Sequence, residues 1–68
     1  MAAELVMDYV LFVDGKALSV HKSLQEAQGA AKPHIDRKYP VTIERCIAPA
    51  PSEIWYYDYG LPSWVKRQ

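Results

Sequence analysis

The stretch YVLFVDGKALSV, residues 9–20, decides the fold of this chain. Its first part, Tyr9 to Val13, is β-branched, aromatic and apolar, which is typical of a buried strand. Asp14-Gly15 then predicts a two-residue hairpin turn, because both residue types adopt positive φ at low cost. Lys16 to Val20 follows as the return strand. The sequence therefore predicts an antiparallel hairpin at this point.

The turn also predicts which residues of the hairpin face each other. If Val13 pairs with Lys16, Leu11 lies opposite Leu18, on the face that we expect to be the core. The opposite face is only partly apolar and holds Val10, Phe12, Ala17, Ser19 and His21.

A helix follows the hairpin. Ser23 and Glu26 form the Ser-x-x-Glu pattern of a capping box, so the helix begins at Ser23. Pro33 removes one backbone hydrogen bond, so the helix either ends near Lys32 or kinks and continues to about Arg37. We favour continuation, because a narrow apolar stripe runs past the proline through Leu24, Ala27, Ala31 and Ile35.

Two further strands complete the pattern. Val41 to Ile47 alternates in a way that suits a third strand, and Ile54 to Asp58 forms a fourth. Between them, two prolines in residues 48–51 indicate a loop, because proline cannot serve a central ladder. Trp64-Val65 follows a Gly60 and Pro62 turn and forms either a short last strand or an irregular tail.

These elements predict an α+β fold of the ββαββ type. The third strand runs antiparallel to the first, so the sheet has four antiparallel strands in the order 2-1-3-4, with the helix on one face. The other face is open unless something covers it. We expect one domain over residues 1–68, with residues 1–7 either a tail or the start of the first strand.

The composition argues against some classes of partner and favours one cellular compartment. Eight basic and eight acidic residues leave no formal net charge, which removes the electrostatic argument for nucleic acid or an acidic membrane as partner. The single cysteine, Cys46, excludes an internal disulfide and favours a reducing cytoplasm. The apolar run from Tyr9 to Val13 is far shorter than the ~20 residues of a membrane helix, so we expect no membrane association.

An aromatic cluster near the end of the chain is the strongest functional feature. On a strand, Trp55 and Tyr57 point away from the face that holds Ile54, so both faces are bulky. One interpretation is that the residues after the fourth strand fold back and close a second small core. The other is a contact surface for another protein or a second copy of this chain. The cluster comprises Trp55, Tyr56, Tyr57, Tyr59 and Trp64.

We expect the contact surface to be the open face of the sheet. Trp55, Tyr57 and Phe12 are its predicted main contacts, with Val10 at the centre, Trp64 at the rim and Tyr59 as an addition. The rival hypothesis is a weak single-stranded nucleic-acid binder that stacks bases on the aromatic residues of the C-terminal strand. The missing basic excess counts against nucleic acid as a partner.

Catalytic and metal-binding patterns are not present in the sequence. His21, His34 and Cys46 do not occur at the spacings of a zinc site. No two carboxylates are placed for acid–base work, and the isolated glycines form no phosphate-binding loop. We therefore predict a non-enzymatic protein with no catalytic residues, metal or cofactor.

The arrangement of these motifs resembles a known kind of small protein. Asp14-Gly15, the stretch SLQEA at residues 23–27, and WYYD at residues 55–58 followed by Trp64-Val65 are similar to short uncharacterised bacterial proteins with two hairpins around a helix. No named family is implied. The resemblance implies a bacterial, cytoplasmic protein and assigns no functional residues.

Overall fold

A computed structural model describes residues 8–45 and 52–67 of the chain. Its elements are β1 (Tyr9–Val13), β2 (Lys16–His21), α1 (Leu24–Asp36), β3 (Val41–Arg45), β4 (Glu53–Asp58) and β5 (Ser63–Lys66). The strands form one antiparallel sheet in the order β2-β1-β3-β4-β5. The α+β class and the 2-1-3-4 order are confirmed. The prediction of four strands is wrong, because β5 pairs with β4 as a fifth.

The β1–β2 hairpin contains an irregularity that the sequence pattern did not indicate. Asp14 and Gly15 have φ values of 54° and 80°, and Val13 pairs with Lys16 as predicted. Beyond that pair a bulge shifts the register, so Leu11 pairs with Ser19. The predicted Leu11–Leu18 pair is therefore wrong: the extra residue in β2 leaves Leu18 54% exposed.

Local signals set the limits of α1. The Ser23 hydroxyl accepts a hydrogen bond from the Glu26 amide at 3.1 Å, which satisfies one of the free amides of the first turn. The helix continues through Pro33 to Asp36, so continuation past the proline is confirmed. Lys38 then takes a φ of 63°, and this left-handed residue turns the chain towards β3.

The core lies between α1 and the middle of the sheet. Leu11, Ile43, Ala27 and Ala31 have no exposed surface, and they pack as one cluster. Alanine on the inner side of α1 allows the helix to approach β1, β2 and β3 closely. The helix therefore covers the half of the sheet that holds these three strands.

The remaining limits of the elements differ little from the prediction. β4 begins at Glu53, one residue before the predicted start. The predicted end of β3, including Cys46 and Ile47, and the N-terminal residues 1–7 lie outside the described residues. Within the described ranges, no helix is long and apolar enough to cross a membrane.

Candidate functional site

The strand registers assign each side chain to one of two faces. Leu11 pairs with Ile43, and Ile43 pairs with Trp55, so Trp55 lies on the face that α1 covers. Tyr57 lies two residues further along β4, and its partner Trp64 shares the same face. Placing Trp55, Tyr57 and Trp64 on the open face with Phe12 was therefore wrong. We call the side of α1 the helix face and the other side the open face.

The aromatic rings of the helix face continue the core beyond the reach of α1. Trp55 and Trp64 pack against the core cluster, and the Trp55 ring lies 5.8 Å from the ring of Tyr9. Tyr57 makes edge-on contacts with Trp64 at 5.5 Å and with Tyr59 at 5.0 Å between centroids. Edge-to-face contacts of this kind stabilise packed rings. This arrangement agrees with the interpretation that the aromatic cluster closes a second part of the core.

A charged group borders these rings. Glu53 accepts hydrogen bonds from Lys66 Nζ at 3.0 Å and from Arg45 Nη1 at 3.2 Å, which links β3, β4 and β5. The hydrogen bond from Lys66, with the charges of Lys66 and Arg45, holds the pKa of Glu53 below its usual value. The same cations lie over rings: Arg45 is 5.2 Å from the centroid of Tyr9, and Lys66 is 5.7 Å from that of Trp55.

Tyr59 joins the end of β4 to the connection between α1 and β3. Its hydroxyl donates a hydrogen bond to the carbonyl oxygen of Tyr39. Burial raises the pKa of Tyr59, and the neighbouring Tyr57 and Asp36 raise it further. Tyr59 is therefore held against the rest of the domain by its hydroxyl and by its ring.

Two rows of side chains cross the open face of the sheet, and the pair Asp58 and Ser63 lies beyond them on β4 and β5. Each row is a set of residues that pair across neighbouring strands. The two rows lie two residues apart along β1, β3 and β4, and three residues apart along β2, where the bulge lies. The first row comprises Val20, Val10, Glu44 and Ile54. The second row comprises Ala17, Phe12, Thr42, Tyr56 and Val65.

Apolar side chains dominate both rows. Within the described rows, Glu44 is the charged residue, and Thr42 and Tyr56 carry hydroxyl groups. Glu44 and Thr42 both lie on β3. Val20 is 58% exposed, while Val10 and Phe12 are half-buried. α1 packs on the opposite side of the sheet, so no helix of residues 8–45 and 52–67 lies over this apolar surface.

The predicted site residues therefore separate into two groups. Phe12 and Val10 lie on the open face as expected, whereas the predicted residues of β4 and β5 lie on the helix face. Sequence reasoning missed four open-face residues. A signal for two of them was present, because the polar Thr42 and Glu44 mark the open side of β3 and their β4 partners share it. The four are Val20, Ile54, Tyr56 and Val65.

Few polar groups are arranged in ways that suggest chemistry. Ser19 Oγ and His21 Nε2 are 2.7 Å apart on the edge strand β2. Residues 8–45 and 52–67 hold no group of three or more His, Cys, Asp or Glu side chains that could bind a metal. Comparison with known proteins found no matching family model, no matching curated protein and no matching solved structure.

Proposed function

We propose that this protein is a small non-enzymatic interaction module of the cytoplasm and that the open face is its contact surface. The observation that carries the proposal is the pair of apolar rows on the side of the sheet away from α1. A contiguous exposed apolar patch on a small domain is typical of a binding surface.

The composition of the open face supports a protein as the partner. Phe12 and Tyr56 lie on either side of Thr42 in the second row, and Val10 lies beside them in the first. Aromatic side chains at the centre of a patch contribute much of the binding energy in protein interfaces. We therefore assign the main contacts to Phe12, Tyr56 and Val10. Trp55, Tyr57 and Trp64 support the sheet from the helix face.

The edges of the sheet are less suited to binding than its open face. β2 carries the bulge at Leu18, which interrupts the regular row of backbone groups along that edge. At the other edge, β5 is only four residues long. Both features oppose the addition of a strand from another chain, so the open face is the better surface for a partner.

A photo-crosslinking amino acid at Val20 tests the proposal. Val20 is 58% exposed on the open face, so the change should leave the fold intact. We expect specific adducts in the native cells, because a bound partner would cover this position. The matched control is the same substitution at Leu61, which is 62% exposed in the turn after β4.

A second change shows whether the adducts depend on the open face. Val10→Lys adds a positive charge to that face. Position 10 pairs with Glu44 on β3, so the new ammonium can form a cross-strand ion pair that helps to keep the variant folded. We expect Val10→Lys to abolish the adducts from position 20. Adducts that persist in this variant, or that form equally from position 61, contradict the proposal.

The alternative function is weak binding of single-stranded nucleic acid on the helix face. The observation favouring it is that Arg45 and Lys66 lie over the rings of Tyr9 and Trp55. Both cations also bind Glu53, which reduces their attraction for phosphate. Titration with a short oligonucleotide at low salt decides between the two. Binding that weakens steeply as salt is added favours the alternative, and no binding removes it.

A further inference from the structure

The two rows of the open face are complementary to each other. They lie two residues apart on β1, β3 and β4, a distance of about 7 Å, and the bulge adds one residue between them on β2. Two copies of the sheet can face each other across a two-fold axis. This axis lies between the two sheets, perpendicular to the strands and midway between the rows. This axis exchanges the rows, so each first-row residue lies over the second-row residue of the same strand in the other copy.

The side chains that meet in this arrangement differ in size. Val10 lies over Phe12 of the other copy, and Val20 lies over Ala17. On the other side of the sheet, Ile54 lies over the ring of Tyr56. Large side chains therefore meet smaller ones on each of these strands, which allows two sheets to interdigitate at the usual spacing of about 10 Å.

The charge of Glu44 in the first row selects this axis over a two-fold axis parallel to the strands. Glu44 lies over Thr42 of the other copy, whose hydroxyl can donate a hydrogen bond to the carboxylate. A two-fold axis that runs along β3 instead would place Glu44 over Glu44. Two like charges in an apolar contact are strongly unfavourable, so the axis across the strands is the one that fits.

The area of the face sets the strength of such a contact. Five strands of about five residues each, spaced by about 4.8 Å, give a footprint of roughly 400 Å². A standard interface buries about 800 Å² on each partner. The face supplies about half of that area, so we expect a weak dimer that forms and separates with concentration.

We propose that the open face binds a second copy of this chain, face to face, about the two-fold axis that crosses the strands between the two rows. This inference rests on the proposed function and names its partner. The chain has no formal net charge, so no long-range repulsion opposes the approach of two copies. Glu44 weakens the dimer, because its carboxylate loses water when the faces meet.

Sedimentation equilibrium of the purified chain over micromolar to millimolar concentrations tests this proposal. We expect a reversible monomer–dimer equilibrium. Glu44→Gln should tighten the dimer on the order of fivefold, because the amide still accepts from Thr42 and carries no charge. Val20→Lys should weaken it about tenfold, since it places an ammonium over Ala17. Leu61→Lys, the same change at a similarly exposed site, should have no effect.

The outcomes separate this inference from the proposed function. A chain that stays monomeric at millimolar concentration overturns the second copy as partner. If position 20 still gives adducts of another mass in cells, and Val10→Lys removes them, the interaction module stands with a different partner. If neither association nor adducts occur, both proposals fail. A dimer that Glu44→Gln loosens overturns the proposed axis. Circular dichroism checks that each variant is folded.

Discussion

The two faces of one sheet contrast in how they bury the same kinds of residue. On the helix face, Leu11 and Ile43 have no exposed surface. On the open face, their neighbours Val10 and Phe12 remain half-buried, although they are equally apolar. The difference arises because, in the part of the chain that the structure describes, one helix of 13 residues covers one side of the sheet. Burial is thus decided by what lies over a residue as much as by its own hydrophobicity.

This contrast separates stability from recognition. The interlocked residues of the helix face hold the fold, since removing any of them leaves a cavity. We expect the open face to contribute less to stability, and we propose it as the contact surface for a partner. Substitutions on the two faces should therefore affect different measurements. Two comparisons test that separation, and a third prediction concerns the charged group on the helix face.

The largest expected effect is on the fully buried core. We expect Ile43→Ala to lower the free energy of unfolding by about 2–5 kcal/mol, because it leaves a cavity under α1. A loss of that size would unfold much of so small a domain. Val20→Ala, on the open face, should cost no more than about 1 kcal/mol. Urea denaturation followed by circular dichroism measures both, and equal losses would remove the distinction between the faces.

An intermediate effect is expected for the aromatic rings. Trp55 packs against the core but is only half-buried, so Trp55→Ala should lower the free energy of unfolding by about 2 kcal/mol, less than for a fully buried tryptophan. We expect it to leave self-association unchanged in sedimentation. Phe12→Ala should do the reverse, with the larger loss in association. A Trp55→Ala variant that melts normally and no longer associates would show that the contact surface lies on the helix face.

The smallest effect is expected for the charged group at Glu53. Its pKa is lowered in the folded state, so its stabilisation is present above the unfolded pKa, near 4.5, and is lost as pH falls through the lower folded pKa. Glu53→Gln should flatten this part of the stability curve. Thermal melts at a series of pH values below 5 measure the change. Identical curves for the two proteins would show that the hydrogen bonds from Lys66 and Arg45 contribute nothing.

Sequence reasoning succeeded where the governing interactions are local. The capping hydrogen bond of Ser23 and the turn at Asp14-Gly15 depend on a few adjacent residues, and both are present. The continuation of α1 past Pro33 followed from the position of Ile35, which packs against the core. The strand order followed from the direction in which each element runs.

The assignment of side chains to faces was less predictable. The bulge at Leu18 inserts one residue into a strand whose alternation reads as regular, and a shift of one residue moves side chains to the other face. In β4 both faces are bulky, so the pattern alone could not choose between Trp55 and Tyr56. Pairing with β3 decides it, and pairing is a long-range property. The sequence could not decide whether Trp64-Val65 forms a short last strand or an irregular tail, because two strand-forming residues shortly after Pro62 indicate little.

The pairing of β3 with β1 has a consequence for how the chain folds. The β1–β2 hairpin and the meander of β3, β4 and β5 each join strands that are close in sequence. The two units meet along the β1–β3 ladder, and α1 packs on both of these strands. β1 and β3 are far apart along the chain, because β2 and α1 lie between them. Closing this longer loop costs more conformational entropy than forming either unit. We therefore expect hairpin and meander to form early and their docking to limit the folding rate.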